Sequence, residues 1–181
     1  SLCLCGKRVY MLETSAKLES VFNDIAATRM AGLPICNTAL RVQAVGFREW
    51  QGLWVGVLIT PWTISLALMP GDVPLTALGP DEKISWEFPS GKYEFMGLNE
   101  PALGTCQTCS LISPVIHIER HEDAVAVAEQ VMTALFAADK PDALRDAERK
   151  QMFEAARMKG ESLATKEVSR RDFLRGGFLG M

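Results

Sequence analysis

Apolar residues early in the chain recur three and four positions apart. Leu18, Val21, Phe22, Ile25 and Ala26 share one side of a helical wheel, with Lys17, Glu19, Asp24 and Arg29 elsewhere. This is the pattern of an amphipathic helix. The helix is predicted over Leu12 to Met30, with Gly32 and Pro34 as its stop. The period then changes from helical to alternating. Arg41 to Phe47 reads as a strand with one slip, Val42 and Ala44 giving way to Val45 and Phe47. Trp54 to Thr60 is a continuous run of β-formers, and Ile64 to Met69 is a third strand closed by Pro70-Gly71-Asp72. Ile84 to Phe88 and Tyr93 to Met96 flank Pro89-Ser90-Gly91 as a hairpin, and Cys106 to Ile112 is a last strand stopped at Pro114.

After His117 the helical period returns. Ala124, Val127, Ala128, Val131, Met132, Leu135 and Phe136 form an apolar stripe behind Glu122 and Asp123, acids suited to a helix N-terminus. Pro141 opens a second helix through Leu144, Ala147, Met152 and Phe153 to about Met158, ended by Gly160. Without regular βαβ alternation the order predicts an α+β fold: an N-terminal helix, a central mostly antiparallel sheet, two C-terminal helices and a mobile tail. The expected divisions are an unassigned segment 1–10, a body 11–138, a C-terminal helix 139–160 and a basic tail 161–181.

From Trp50 to Gly71 no residue is charged, a length that would span a bilayer. Pro61 at its centre, the glycines at 52, 56 and 71, and its content of Trp, Val, Ile and Thr instead favour two buried strands joined by a turn. Hydrophobic residues make up 48% and charged residues 23% of the 181, as in ordinary globular proteins. The net charge of -3 gives no electrostatic case for nucleic acid. That charge is uneven: Asp139 to Met181 carries 10 Lys/Arg against 8 Asp/Glu, and the remainder 9 against 14.

The chemistry-bearing residues form no convincing catalytic set. Cysteines stand at 3, 5, 36, 106 and 109, an odd number, and Lys7 and Arg8 precede no apolar signal run. Both features favour free thiols in a reducing, cytoplasmic compartment. Cys106-Gln107-Thr108-Cys109 has the spacing of a redox or metal pair, but inside a strand its two side chains are expected on opposite faces. His117 and His121 lack a completed ligand shell, and no nucleophile elbow, phosphate loop or dinucleotide glycine pattern occurs. The expectation is a non-enzyme with no cofactor and no metal site.

Two segments point to peptide recognition. Thr60-Pro61-Trp62-Thr63 joins a rigid turn to an amphipathic ring, so Trp54, Thr60, Pro61 and Trp62 are the candidate peptide-binding residues. Ser169-Arg170-Arg171-Asp172-Phe173-Leu174-Arg175 matches the twin-arginine export consensus, with Arg175 in place of the usual lysine. Its position is unusual, because such signals are N-terminal and continue into a long apolar run. Only Gly176 to Met181 follows here, so it is not expected to work as an export signal: it is a mimic of a signal peptide, able to support self-association, or part of a signal, or the mark of a cut chain.

Gly52 to Trp62 and Cys109-Ser110-Leu111-Ile112-Ser113-Pro114 resemble the HybE/HupJ family of [NiFe]-hydrogenase assembly chaperones. So do Phe22, Ile25 and Ala26, Leu68-Met69-Pro70-Gly71, Lys83-Ile84, Pro89-Ser90-Gly91 and Gly104. The resemblance spans roughly residues 16–135 and departs at Cys106, where the family usually has an aromatic. It implies a protein that holds hydrogenase precursors until cofactors are installed. The implied client is the small subunit with its twin-arginine signal peptide, and the large subunit is a further one. The competing reading is a cysteine-dependent redox or metal-carrying maturation factor using Cys106 and Cys109, joined by Cys5.

Overall fold

The computed structural model describes residues 2–79 and 81–137 of the chain. Helix α1 (Leu2–Ala27) is followed by strands β1 (Gln43–Trp50), β2 (Leu53–Ile59), β3 (Ile64–Pro70), β4 (Lys83–Phe88), β5 (Gly91–Glu100) and β6 (Gly104–Ile112). Helix α2 (His121–Leu135) closes the sequence of elements. The strands form one sheet in the order β1-β2-β3-β6-β5-β4, and every neighbouring pair is antiparallel. The fold is α+β, as the periodicities predict. The expected second C-terminal helix and the tail lie outside the described residues. α1 begins at Leu2, ten residues before the predicted start, through a stretch where Leu2, Leu4, Lys7, Arg8 and Met11 favour helix and no proline interrupts, although Gly6 does not favour it.

The central hairpin β2–β3 is buried on both faces. Leu53, Val55, Val57 and Ile59 share one face with Ile64, Leu66 and Leu68, and they pack with Ala124, Ala128, Met132 and Leu135 of α2. Trp54, Leu58, Ala67 and Met69 point the other way and pack with Leu18, Phe22 and Ile25 of α1. Small residues make room on this second face. Gly56 pairs with Ala67, and a Cβ at Gly56 would collide with the Phe47 ring. The first strand alternates regularly through Val45, so the slip expected between Ala44 and Val45 falls later, as a register shift between Val45 and Arg48 that leaves Val45 on the α2 face and Phe47 on the α1 face. Gly46 there has φ 67° and Met132 of α2 packed directly over it.

The sheet is strongly curled. β1 and β4 are its two edges, five strand spacings apart, which in a flat sheet would separate them by roughly 24 Å. Yet the rings of Trp50 at the end of β1 and Phe88 at the end of β4 are stacked at 4.1 Å, and Trp50 meets Trp86 at 5.8 Å. The α2 face is therefore concave. Phe136 just past α2 packs on Phe88, and Arg48 lies over the Phe136 ring at 4.0 Å. The connection from β3 to β4 crosses the same face. Fully buried Gln107 donates to the Thr76 carbonyl and accepts from the Trp86 indole N–H, each at 2.8 Å.

The start of α2 is locked to the first strand through His121, which is 3% exposed. Its Nε2 is 2.7 Å from Gln43 Oε1, and its Nδ1 accepts the Arg41 N–H at 3.4 Å, so the ring is neutral with the proton on Nε2. Burial, then the nearby Arg41 charge, holds the imidazole below its usual 6.5. The unfolded chain therefore takes up a proton that the fold resists, and stability is lost as pH falls below 6.5. The urea midpoint is expected to drop as pH is lowered through that window, and His121→Gln should flatten the slope. An equal slope in both proteins would show that His121 is not its source.

Candidate functional site

Three turn-rich stretches meet at one end of the sheet. They are Leu33 to Asn37 ahead of β1, the Thr60–Thr63 turn between β2 and β3, and Ser113 to Ile118 after β6. Gln43 pairs with Ile59 and Ile64 pairs with Ile112, so the strand register brings all three together. Asn37 binds them. Its backbone N–H donates to the Pro61 carbonyl at 2.7 Å, and its side-chain amide donates to the carbonyls of Val115 at 2.9 Å and Ile118 at 2.6 Å. Its Oδ1 accepts from Ala39 N–H at 3.0 Å, an Asx turn that fixes the side chain.

The Thr60–Thr63 turn is built from inside. The Thr60 hydroxyl donates to the Thr63 carbonyl and accepts the Thr63 and Trp62 N–H groups. Thr63 Oγ1 in turn donates to the Ile112 carbonyl at 3.0 Å. The turn is thereby fastened to β6, and Trp62 leans back to stack on Phe22 of α1 at 6.3 Å. Pro61 and Trp62 remain half-buried at the surface. On the loops tied to this turn stand Leu33, Ile35 and Ile116, exposed by 42%, 46% and 49%. These are three of the six large exposed hydrophobics among the described residues, each on a loop that Asn37 joins, with exposed Ser113 and His117 on the same loops. Glu119 and Glu122 are exposed beside them at the approach to α2.

Of the four residues expected to bind peptide, the structure brings Pro61 and Trp62 to this surface. Thr60 is fully buried and shapes the turn. Trp54 is 6% exposed among the α1-facing core residues and pairs with Met69, at the far end of the hairpin. Six residues of strand separate it from Thr60, about 20 Å. Leu33, Ile35, Ile116 and the Asn37 tie were not singled out from the sequence. The available signal was Leu33-Pro34-Ile35, apolar residues in a turn with no periodic face to join.

The cysteine pair has no shared space. Cys106 packs on the α1 face and Cys109 on the α2 face of β6. Burial pushes the Cys106 thiol up to about 12; burial, with the Glu94 carboxylate, pushes Cys109 up to about 11. Both are neutral packing groups at physiological pH. Cys3 and Cys5 fall in the first turns of α1, and Cys36 lies half-buried with its thiol toward the Met30 carbonyl. Among the described residues no cluster of His, Cys, Asp or Glu is arranged to hold a metal ion, and no helix is long and apolar enough to cross a membrane. A shallow cleft of about 290 Å³ lies elsewhere, lined by Leu78, Leu98, Pro101, Thr105 and Cys106, with Glu100 at its rim held by Arg29 at 2.7 Å. The motif Ser169, Arg170, Arg171, Phe173, Leu174 and Arg175 lies outside the described residues.

Known proteins share this sequence and shape. Residues 13–176 match the family model described as [NiFe]-hydrogenase assembly, chaperone, HybE. The hydrogenase expression/formation protein HupJ of Bradyrhizobium diazoefficiens is 34% identical over 160 residues, 88% of this chain and 85% of that protein. Protein HoxT of Cupriavidus necator is 37% identical, over 81% of this chain and 91% of its own. The solution structure of HybE from Escherichia coli superposes with a TM-score of 0.57 at 26% identity, covering 70% of this chain and 78% of that one.

The Asn37 tie has a measurable worth. Asn37→Ala removes two side-chain hydrogen bonds to partly buried carbonyls and leaves both without that donor. A loss of about 1–3 kcal/mol in unfolding free energy is expected from chemical denaturation. A change within error would mean that the three loops are held without it.

Proposed function

Because the chain belongs to the HybE family of [NiFe]-hydrogenase assembly chaperones, we propose that its apolar loop end holds the signal peptide of a hydrogenase small-subunit precursor and delays export until the cofactors are in place. The protein acts without catalysis, in the cytoplasm, and the large subunit is a further client. The observation that carries this reading is the patch of Leu33, Ile35, Pro61, Trp62 and Ile116 around one pinned turn. A twin-arginine signal joins an apolar run to two guanidinium groups. The patch offers aliphatic and aromatic contact to the first, and exposed Glu119 and Glu122 offer carboxylates to the second.

The strength of such a hold is moderate. Covering the exposed part of each aliphatic side chain contributes about 1 kcal/mol, so three of them favour reversible capture over permanent association. That suits a protein that must release its client for export. The turn is preorganised by Thr60 and Asn37, which lowers the entropic cost of binding.

The test is fluorescence anisotropy with a synthetic small-subunit signal peptide. Trp62→Ala is expected to weaken binding about tenfold or more, the loss typical of a buried aromatic anchor. Ile116→Glu should do the same with an unchanged melting temperature, since Ile116 is half exposed. If lost binding follows lost folding in both variants, or if Ile116→Glu binds as the parent does, the patch is not the client site.

A further inference from the structure

The apolar end of the sheet has an occupant within the chain itself. We propose that in the absence of a client the segment Ser169–Arg175 folds back onto the same molecule and covers the patch, so that a client binds by displacing it. This rests on the client-site reading above and adds its regulation. The segment lies outside the described residues, and the inference comes from what the patch lacks and what the segment carries.

The chemistry matches first. Phe173 and Leu174 supply an apolar pair for Leu33, Ile35, Trp62 and Ile116, whereas Arg170, Arg171 and Arg175 supply guanidinium groups for Glu119 and Glu122. These are the same pieces that a twin-arginine client presents. The charge balance points the same way: residues 139–181 carry 10 basic against 8 acidic side chains, and the rest of the chain 9 against 14. The match to the family model runs to residue 176 and so includes the segment.

The reach is sufficient. α2 starts beside the patch, where Asn37 holds the Ile118 carbonyl and Arg41 meets His121. It ends at the opposite side of the sheet, where the Leu135 carbonyl accepts the Ser90 N–H of the β4–β5 turn. Fifteen helical residues put these ends about 22 Å apart. The 31 residues from 138 to 168 have a contour length of up to about 100 Å, several times that distance. A segment tethered in this way sits at about 1 mM. If the free segment binds with a dissociation constant of about 0.1 mM, the tether fills about nine sites in ten and weakens an outside peptide about tenfold.

The experiment uses the full chain, the full chain with Arg170→Gln, Arg171→Gln and Phe173→Ala together, and a fluorescein-labelled peptide of residues 169–179. The peptide is expected to bind the triple variant saturably and about tenfold more tightly than the parent. Adding Ile116→Glu to the triple variant should abolish that binding. Absence of binding up to 1 mM, equal affinity for parent and triple variant, or binding that survives Ile116→Glu overturns the proposal. A parent that sediments as a dimer, with the triple variant monomeric, would put the segment on a neighbouring copy and overturn the same-chain arrangement. A small-subunit signal peptide in parallel separates the two readings. If it binds the triple variant while the 169–179 peptide does not, self-occupancy fails and the client site stands. If the 169–179 peptide binds and the signal peptide cannot displace it, the client reading fails instead.

Discussion

The β2–β3 hairpin carries large apolar side chains on both faces, and the rest of the fold follows from keeping both faces dry. α1 covers one with Leu18, Phe22 and Ile25; α2 covers the other with Ala124, Ala128, Met132 and Leu135. One helix is too narrow to cover a flat sheet of six strands. The sheet therefore curls around α2 until its edges meet through the stacked rings of Trp50 and Phe88. On the convex side, α1 covers the half of the sheet nearest β1. Beyond it the outward residues of β4 and β5, such as Ser85, Glu87, Lys92 and Glu94, are polar and exposed.

The two ends of the curled sheet are finished differently. At the β4–β5 turn, aromatic rings and the last turn of α2 close the core, with Arg48 lying over Phe136. At the other end, hydrogen bonds hold the loops while aliphatic side chains face outward. Asn37 and Thr60 satisfy their polar atoms inward, and Leu33, Ile35, Pro61, Trp62 and Ile116 reach the surface of these loops, with Ser113 and His117 exposed among them. Loops tied in this way are a preformed surface, which lowers the entropic cost of binding a partner.

Much of this was legible from residue periodicity, because each element announces its own faces. An irregularity in the first strand was legible, but it lies between Val45 and Arg48 at Gly46, with its positive φ, and not between Ala44 and Val45. The strand reading of Cys106 to Ile112 placed Cys106 and Cys109 on opposite faces, and they are so placed. Periodicity does not tell which residues from distant elements meet. Trp54 and Trp62 share a face of the hairpin, but its length separates them, so only Trp62 joins the surface turn. The closure through Trp50 and Phe88 depends on sheet curvature, which accumulates over six strands and leaves no local mark. Asn37 looks like any turn asparagine until the loops from residues 60 and 115 arrive beside it. The second C-terminal helix and the twin-arginine-like segment fall outside the described residues, and their role rests on the experiments that address them.

Amide-resolved NMR of the full chain, titrated with a small-subunit signal peptide, tests the proposed client site most directly. Chemical-shift changes are expected to concentrate in residues 33–37, 60–63 and 113–118, with Ser85, Glu87 and Lys92 on the convex polar face unmoved. Changes centred instead on those polar strands, or on the cleft between Leu78 and Cys106, would contradict the assignment of the apolar loop end as the surface that holds the client.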